Sequence, residues 1–422
     1  MGIRRDPSTI APPWLGGAVL LGDCDLALWH VPAEERLRRA CRQIGLPDHR
    51  IHVMRSADAA RPTDCKAADR VLVARVDCVF EPRALAALVA RNVDRVLADR
   101  DGQPVAALVR ADRIPQAVEW LAGRASGEAL PDDTCEWLTP AELGAHDRRL
   151  RRAAPPLVSV VTPDNFEALE AELYGNAYKG VTDLVTKFLW PRPSAWLVRR
   201  CARMRITPNQ VTLTSFILVL VAGWCFAQGS FVAGLVAAWL MTLLDTVDGK
   251  LARVTVQSSR FGDLFDHGID LIHPPFWYLA WGIGLDPAHR PFDWSIGELA
   301  AWIFIPYIIG RLTEGAFNWI CGGSMFTWRP FDSWFRLITT RRNPALVLLT
   351  LSVLAHQPAL GLLAVIAWAV VSAMIQGLRL AQAIFLRLTG RPVVSWLADP
   401  AAAQRYPSSY RVFATTRGAF RR

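Results

Sequence analysis

The sequence predicts a chain of two parts: an N-terminal α/β domain with a mostly parallel sheet, followed by an all-α membrane domain of six transmembrane helices. As far as about Leu169, apolar residues are interleaved with charged ones, as they are in soluble domains. From Val211 onward, apolar runs recur that are long enough to cross a bilayer, which takes about 20 helical residues. The composition agrees, since 52% of the 422 residues are apolar and 17 are Trp.

Strand-like and helix-like patterns alternate through residues 1–165, which we assign to the α/β domain. A strand, a loop and an amphipathic helix are predicted in "WLGGAVLLGDCDLALWHVPAEERLRRACRQIGL". Further strands are predicted in "IHVMRS" and "RVLVARVDCVFEPRALAALVARN", the second leading into a helix, and shorter ones in "VDRVLAD", "PVAALVRAD" and "LVSVVT". This alternation is typical of an α/β layer with a mostly parallel sheet.

Six apolar segments predict the spans of the membrane domain, to which we assign residues 207–390. Basic residues crowd alternate connections: before the first span, between the second and third, and after the fourth. By the positive-inside rule, this places both termini and the second connection in the cytoplasm, so we expect a multi-pass protein of the inner or plasma membrane. The predicted spans are about Val211–Gln228, Phe231–Leu244, Leu264–Leu285, Leu299–Ile320, Ala345–His356 and Leu360–Leu386.

Two further segments flank the membrane domain. Residues 166–206 mix apolar with basic side chains, which is typical of amphipathic helices that lie at a membrane surface. Within them, Tyr174, Tyr178 and Lys179 are candidates for a lid over a site, and a simple linker explains them equally well. Residues 391–422 form a basic tail on the cytoplasmic side.

Charge and cysteine content exclude two kinds of function. The net charge of +9 is concentrated beside the predicted spans, where anionic lipid and the positive-inside rule account for it, so we expect no nucleic-acid partner. The eight cysteines are scattered and form no CxxC pair, which argues against a zinc site and against a disulfide framework.

Carboxylates lie unusually close to two of the apolar segments. Asp245 and Asp248 are three residues apart, and Asp266 and Asp270 are four apart, so each pair lies on one face of a helix. Two such helix ends facing each other would gather four carboxylates, which need a cation or a proton because like charges repel. Oxygen ligands at this density suit Mg²⁺, Mn²⁺ or Ca²⁺ rather than zinc. Helix caps and surface charges are the alternative explanation.

Residues around the carboxylates favour a phosphate ligand. Gly249 and Gly262 leave space in which a ligand can approach the backbone closely. Arg253 adds a fixed cation whose planar geometry matches phosphate. Acids, glycines and arginine together predict a metal-assisted phosphate site at the cytoplasmic surface of the membrane.

The spacing of these residues resembles the signature of the CDP-alcohol phosphotransferase family. The resemblance covers about Thr207 to Leu386 and includes "TPNQVT", which is similar to the Pro-Asn-x-x-Thr entry into the family's first span. In that family a CDP-linked alcohol is the donor; a phosphatidyl or phospho-alcohol group moves to an acceptor hydroxyl, and CMP is released. The matching positions are Asp245, Asp248, Gly249, Ala252 and Arg253, then, after eight residues, Gly262, Asp266 and Asp270.

The resemblance implies a role for each position. The four aspartates would hold two divalent ions, Mg²⁺ or Mn²⁺, against the pyrophosphate of the donor, and Asp270 would also be the general base. A homodimer is expected on the same ground. The cytidine and pyrophosphate site would be lined by Gly249, Ala252, Arg253 and Gly262, with Thr212 nearby.

Two arginines inside predicted spans are candidates for acceptor binding. Arg311 and Arg379 would hold an anionic acceptor, such as a polyol phosphate, if both face the acid cluster. Arg311 lies three residues from Glu314, and mutual neutralisation is an equally good explanation. Arg379 lies near the cytoplasmic end of its span, where snorkelling also accounts for it.

The N-terminal half resembles a sugar-phosphate nucleotidyltransferase domain. Some members of the transferase family carry such a domain and make their own CDP-alcohol with it. The loop after the first strand, "LGDCDLALWHVPAEER", lacks the glycine cluster that would cradle phosphates, although Asp77 lies about where a metal-binding acid is expected. We therefore favour a degenerate, non-catalytic domain, with an active cytidylyltransferase as the alternative.

The sequence leaves two candidate donors and a second functional class open. CDP-diacylglycerol and CDP-inositol are both candidate donors, and the fused domain favours the second. An ion-coupled transporter would also place acids near spans, but we expect it to show internal repeats and acids at mid-membrane depth, which the sequence lacks.

Overall fold

The computed structural model of the protein describes residues 11–55, 69–123, 135–257, 260–289 and 293–414, apart from the side chains at positions 260, 261, 263, 264, 266, 267 and 289. The chain forms two compact units. The N-terminal unit comprises residues 1–145, 154–176 and 254–256, and the helical unit comprises residues 146–153, 177–253 and 257–422.

A six-stranded sheet forms the centre of the N-terminal unit. Alternate residues of its central strands face opposite sides, as the pleat requires. Leu20 and Leu72 pack on one side and Val19 and Val73 on the other, so the sheet has an apolar core on each face. In spatial order the strands are β4 (Ile51–Met54), β1 (Leu15–Leu21), β5 (Arg70–Arg75), β8 (Pro104–Arg110), β7 (Arg95–Ala98) and β9 (Glu136–Leu138).

The sheet is mixed, so the expectation of a mostly parallel sheet is wrong in part. Strand β1 pairs in parallel with β4 and β5, and β7 pairs in parallel with β9, but β8 is antiparallel to both of its neighbours. The reason is the short connection between β7 and β8, because only an antiparallel pair can be joined by a tight turn. Asp99 closes that turn, since its Oδ1 accepts hydrogen bonds from the amides of Asp101 and Gln103 at 2.9 Å.

Four helices and four short strands complete the described part of the N-terminal unit. The predicted strands and the first two predicted helices are confirmed, whereas α3 and β9 were not predicted. Both are short, with eight and three residues, and neither offers a long periodic pattern. The elements are β2 (Ala27–Leu28), β3 (Val31–Pro32), α1 (Ala33–Gln43), β6 (Cys78–Phe80), α2 (Pro82–Leu88), α3 (Ile114–Leu121), β12 (Val158–Val160) and α4 (Phe166–Asn176).

The helical unit contains a helix at each of the six predicted span positions. Its other elements include a two-stranded ribbon of β10 (His146–Asp147) and β11 (Arg152–Ala153), and a π-helical turn at Val185–Leu189. The helices are α5 (Pro191–Arg203), α6 (Pro208–Ala227), α7 (Phe231–Val254), α8 (Arg260–Ile283), α9 (Ile296–Cys321), α10 (Pro330–Ile338), α11 (Arg342–Leu354), α12 (Pro358–Leu388), α13 (Ala402–Arg405) and α14 (Pro407–Phe413).

Four of the described helices are long and apolar enough to cross a membrane: α6, α7, α9 and α12. Helix α11 is apolar but has only 13 residues. Helix α8 has 24 residues, and its first half carries Asp266 and Asp270, the two acids of the second half of the signature. Large apolar side chains such as Trp224, Leu312 and Phe385 are exposed along the long helices, which is the surface that lipid would cover.

The first span begins at a capping box, which explains the "TPNQVT" sequence physically. Thr207 precedes helix α6, and its backbone amide donates to the side chain of Gln210 at 2.8 Å. The amide of Gln210 donates to the Thr207 hydroxyl in return, so two amides that the helix cannot pair are satisfied. Pro208 occupies the first helical position, where its missing N–H is not needed.

The segment between residues 177 and 194 is firmly packed within the helical unit. The hydroxyl of buried Tyr178 hydrogen-bonds the hydroxyl of Ser194 at 2.8 Å. Lys187 donates to the carbonyl of Gly180 at 2.7 Å and lies over the ring of Phe413. Tyr174 belongs instead to the N-terminal unit, where it stacks on Trp29. The lid and linker alternatives for this region stay predictions.

Replacing Gly180 by Ala should destabilise the helical unit. A Cβ at this position would meet the backbone oxygen of Phe413 and would lie 2.5 Å from that of Arg151. Such crowding costs about 2 kcal/mol, so we expect the thermal unfolding midpoint in detergent to fall by about 5 °C. Gly377→Ala is the control, because a Cβ there has no neighbour within 4 Å. Equal midpoints for the two variants would contradict the packing described for Gly180.

Candidate active site

Two helices each bring one acid of the signature to the same cation. Asp245 lies on α7 and Asp270 on α8. The Oδ2 of Asp245 and the Oδ1 of Asp270 each lie 2.5 Å from a nitrogen of the Arg342 guanidinium. The structure therefore brings together carboxylates from the two helices that the sequence predicts to face each other. Asp266, the remaining predicted ligand on α8, has a side chain outside the described set.

Arg342 is a site residue that sequence reasoning missed. It is the first residue of α11, its side chain is 11% exposed, and it bridges two carboxylates that would otherwise repel each other. A guanidinium suits this position because its planar array of donors can bind two carboxylates at once. No spacing rule relates residue 342 to the signature, so the sequence analysis placed it only in the basic connection after the fourth predicted span.

Asp248 is held by a separate set of hydrogen bonds. Its carboxylate is buried, and its Oδ2 accepts from the hydroxyl of Thr212 on α6 at 2.6 Å. Its Oδ1 accepts from the amide of Gly249 at 2.5 Å. The structure thus joins Thr212 to the acid-bearing helix, and these contacts fix the direction of the Asp248 carboxylate.

The glycine and the arginine of the signature are neighbours on α7. A Cβ on Gly249 would lie 3.1 Å from Nη2 of Arg253, so the glycine leaves room for the guanidinium to lie against the helix. The Nε of Arg253 donates to the carbonyl of Ala177 at 2.7 Å. Ala252 and Gly262 are half-buried on α7 and α8 respectively. These four residues occupy the ends of the two helices that carry the acids.

Lys250 is a second cation that the sequence analysis did not include in the site. It follows Gly249 directly, is 2% exposed and lies over the ring of Tyr178. A buried ammonium on an aromatic face is stabilised by the ring quadrupole. Lys250 therefore adds a buried amine that packs on an aromatic ring within the signature segment.

A cluster of arginines surrounds Glu314. Arg311 donates to Oε1 of Glu314 at 2.8 Å, and Arg341 pairs with its Oε2. Arg336 is buried, and its Nε and Nη1 have no hydrogen-bond partner among the described residues. Burial and then repulsion from Arg341 lower the pKa of Arg336 to about 9 and that of Arg151 to about 10. The arginine cluster, Arg151, Arg311, Arg336 and Arg341, is therefore short of negative charge.

Arg379 has a different partner from Arg311. Its guanidinium binds both carboxylate oxygens of Asp332, at 2.6 and 2.7 Å, and lies 4.1 Å from the ring centroid of Trp328. Asp332 is 1% exposed, so the ion pair is buried. The structure thus gives Arg379 a strong local partner and places Arg311 in the arginine cluster with Glu314.

Asp183 joins the segment before α5 to α11. It is buried and accepts hydrogen bonds from Asn343 at 2.9 Å and from the Thr186 amide and hydroxyl at 2.9 and 2.8 Å. Burial alone would raise the pKa of Asp183, but Arg336 and these hydrogen bonds outweigh burial and hold that pKa below its usual value. Asn343 is the neighbour of Arg342, so this network helps to position the start of α11.

The acidic side chains of the signature are of the chemical type that binds a hard divalent cation. Among the side chains that the structure describes, no group of three or more His, Cys, Asp or Glu residues is arranged to hold a metal. The predicted four-carboxylate set includes Asp266, which lies outside those side chains. Asp245 and Asp270 supply oxygen donors from two helices to one cationic group, which is the ligand chemistry that Mg²⁺ and Mn²⁺ prefer.

In the N-terminal unit, the loop after β1 is filled by a tryptophan. Trp29 is buried, its amide donates to Oε1 of Glu170 at 2.6 Å, and its Nε1 donates to the Glu170 carbonyl at 3.0 Å. Its ring stacks on Tyr174. Asp77, the candidate metal-binding acid, pairs with Arg75 at 2.7 Å. Trp29 and Glu170 thus pack part of the loop after β1, and Asp77 is held by an arginine at the end of β5.

A comparison with known protein families finds a match in the helical region. Residues 205–375 match the model of the CDP-alcohol phosphatidyltransferase family. This range contains both halves of the signature, Arg342 and Arg311, but not Arg379 or the N-terminal unit.

Individual relatives match over part of their length. The chain is 30% identical to cholinephosphotransferase 1 of Gallus gallus over 40% of this chain and 49% of the relative. It is 38% identical to archaetidylinositol phosphate synthase of Pyrococcus horikoshii over 19% and 42% of the two chains. It is 26% identical to the bifunctional IPC transferase and DIPP synthase of Aquifex aeolicus over 38% and 37%. The chain thus spans about half or less of the length of these relatives, which are named as phosphotransferases or synthases.

Arg342→Gln should destabilise the protein without metal, because it removes the cation that Asp245 and Asp270 share. We expect the unfolding midpoint in EDTA to fall by about 5 °C. Added Mn²⁺ should recover most of the loss, because the same carboxylates regain a counter-ion. Scanning fluorimetry with and without Mn²⁺ measures both effects. Arg387→Gln is the control. Arg387 lies at the C-terminal end of α12, and it donates to the carbonyl of Ile320 on α9 rather than to a signature acid. Equal midpoints in EDTA would contradict the bridging role.

Asp183→Asn should change the pH dependence of stability. The folded-state pKa of Asp183 is lowered, so its charge stabilises the fold above the ordinary Asp value near 4 and loses this effect as the pH falls through the lower folded value. The variant should therefore be less stable than wild type at pH 7, and the difference should shrink below about pH 4. Unfolding midpoints between pH 3 and pH 7 provide the test. A difference that grows on acidification would contradict the assignment.

Proposed function

We propose that the chain is a membrane-embedded CDP-alcohol phosphotransferase. It transfers a phosphatidyl or phospho-alcohol group from a CDP-linked donor to an acceptor hydroxyl and releases CMP. The observation that carries the proposal is the convergence of Asp245 and Asp270 on one cationic group, within the range that matches the CDP-alcohol phosphatidyltransferase family. The cytoplasmic position of both termini, six membrane spans and a homodimer are parts of the same proposal.

The signature residues are assigned to two kinds of ligand, the divalent ions and the nucleotide. Asp245, Asp248, Asp266 and Asp270 would hold two Mg²⁺ or Mn²⁺ ions, which when bound neutralise the donor pyrophosphate and the departing CMP. The nucleotide would lie against the ends of α7 and α8, where glycine leaves space beside the backbone and Arg253 supplies a phosphate-matching cation. The residues assigned to the nucleotide site are Thr212, Gly249, Ala252, Arg253 and Gly262.

The reaction is a single displacement at phosphorus. The acceptor hydroxyl oxygen bonds to the phosphorus that carries the donor alcohol, the bond from that phosphorus to the CMP oxygen breaks, and CMP leaves with the electron pair. Asp270 takes the proton of the acceptor hydroxyl. Its carboxylate suits this role better than that of Asp248, because the Asp270 side chain is 42% exposed and Asp248 is buried among hydrogen bonds.

The arginine cluster supports an anionic acceptor. Four arginines lie around Glu314, and buried donor atoms of Arg336 lack partners among the described residues, so a phosphate would balance their charge. Arg311 belongs to this cluster, which supports its acceptor role. The proposed role of Arg379 requires the acceptor to compete with Asp332 for the same guanidinium.

Relatives point to two kinds of donor and acceptor. The name archaetidylinositol phosphate synthase favours an inositol-type substrate, with CDP-diacylglycerol or CDP-inositol as donor. The name cholinephosphotransferase favours transfer of a phospho-alcohol. The arginine cluster favours a phosphorylated acceptor, so we place a polyol phosphate first.

The N-terminal unit is proposed to be a degenerate, non-catalytic domain. Trp29 and Glu170 fill the loop that would cradle phosphates, which supports this reading. The alternative is a bifunctional enzyme whose N-terminal unit makes the CDP-alcohol. Incubation of the protein with CTP and inositol phosphate separates the two, because only an active cytidylyltransferase releases pyrophosphate.

Release of CMP tests the proposed reaction directly. Purified protein is incubated with labelled CDP-diacylglycerol or CDP-inositol, with a panel of free and phosphorylated polyols, with and without Mn²⁺. We expect metal-dependent CMP release, and a loss of about a thousandfold in turnover for Asp270→Asn, because a general base contributes on this order. Asp293→Asn, an exposed acid outside the site, should keep normal turnover. Normal turnover in Asp270→Asn would remove the role assigned to Asp270.

A further inference from the structure

The ribbon of β10 and β11 belongs to the helical unit, although it precedes residues 205–375, the range that matches the family. The amide of Val181 donates to the carbonyl of Arg151, in the turn of the ribbon, at 3.2 Å. The amide of Ala153 donates at 3.2 Å to the carbonyl of Ala414, the residue that follows α14. The ribbon is therefore hydrogen-bonded to two other segments of the helical unit.

Arg151 ends the turn between the two strands in a conformation that usually favours glycine. Its φ is +50°, in the left-handed region. A residue other than glycine keeps this conformation only when its surroundings hold it there, and the hydrogen bond from Val181 supplies part of that hold. Strained residues of this kind cluster at ligand sites, so the side chain of Arg151 is a candidate for ligand binding.

The side chain of Arg151 interacts with charged groups of α9 and of the start of α11. Burial and then repulsion from Arg341 lower its pKa to about 10, attraction to Glu314 opposes them, and Arg311 adds a smaller repulsion. The other three members of the arginine cluster lie within the family range, at positions 311, 336 and 341. Arg151 therefore brings a guanidinium to this cluster from an element outside that range.

An apolar cluster of the helical unit supports this arrangement. Ala153, two residues after Arg151, belongs to the same buried cluster as Phe326. The guanidiniums of Arg336 and Arg341 lie 5.5 and 5.7 Å from the centroid of the Phe326 ring. The ribbon and these two arginines thus share one apolar support, which fixes the ribbon beside them.

The arginine cluster carries more positive charge than the described residues balance. Glu314 and Asp183 are the described carboxylates whose charges act on Arg336, so four guanidiniums face two carboxylates. The Nε and Nη1 of Arg336 are buried and have no partner among the described residues, and the same is true of Nε of Arg311 and of Arg341. Buried charge without a partner is costly, so the cluster has the properties of an anion site that awaits its ligand.

We propose that Arg151 completes a site for the phosphate of a phosphomonoester acceptor. Such a phosphate carries a charge of about −1.5 to −2 near pH 7, which matches the unbalanced charge of the cluster, whereas a free polyol has no charge to offer. Guanidiniums bind phosphate oxygens through paired N–H donors. Arg151 is then a specificity residue that this chain adds to the family range. The acceptor role rests on the proposed function, whereas binding of the anion does not.

Binding of inorganic phosphate to the full-length protein tests the site without turnover. Phosphate in EDTA should raise the unfolding midpoint in detergent, and the concentration that gives half of this rise measures affinity. We expect Arg151→Gln to weaken this affinity about tenfold, because one charged donor is lost, and Arg151→Lys to recover part of it. Arg148→Gln is the matched control, since Arg148 is exposed in the same turn. Equal phosphate affinity in Arg151→Gln and wild type would overturn the proposal.

The wild-type protein provides a second measurement that does not depend on the folding of a variant. At equal ionic strength, phosphate should stabilise it more than acetate does, because the cluster offers paired donors and excess charge to a dianion. Equal stabilisation by the two anions would also overturn the proposal.

Acceptor discrimination tests the catalytic consequence. With CDP-inositol as donor and CMP release as readout, wild type should favour inositol phosphate over free inositol. Arg151→Gln should reduce that preference in kcat/KM about tenfold, through a higher KM for the phosphorylated acceptor at nearly unchanged kcat. Equal losses on both acceptors would mean a merely structural role and would overturn the proposal. If wild type releases no CMP with any donor and acceptor, the proposed function fails, and phosphate affinity still decides whether Arg151 belongs to an anion site.

Discussion

The repulsion between carboxylates on the neighbouring helices α7 and α8 is the constraint on which the rest of the site depends. Asp245 and Asp270 approach closely enough to share one guanidinium, so a cation has to stand between them. Arg342 supplies that cation from a third helix, while Asp248 is stabilised separately by Thr212 and a backbone amide. Three neighbouring helices are thereby tied to the one that carries the first half of the signature.

Several contacts outside the signature serve to hold these helices in place. Asp183 and Asn343 position the start of α11, next to Arg342. Lys250 packs on Tyr178, and Arg253 binds the carbonyl of Ala177, so the segment before α5 lies against α7. Asp245 and Asp248 therefore stand on a helix whose C-terminal half is held by several neighbours.

The sequence predicted what depends on spacing along one element, and missed what depends on distant partners. Helical spacing located the acid pairs, and apolar runs located six of the helices of the helical unit. Arg342, Lys250 and the Asp332 partner of Arg379 were missed, because pairs separated by many residues follow no local pattern. The antiparallel pairing of β7 with β8 was not predicted, because the strand–helix alternation does not reveal the tight turn at Asp99.

Mn²⁺ binding followed by electron paramagnetic resonance tests the central claim most directly. If acids from both helices face one cation site, Asp245→Asn on α7 and Asp270→Asn on α8 should each weaken Mn²⁺ binding by at least about tenfold, while Asp293→Asn leaves it unchanged. This measurement needs neither donor nor acceptor. Wild-type affinity for Mn²⁺ in both active-site variants would show that the two helices do not form a shared site.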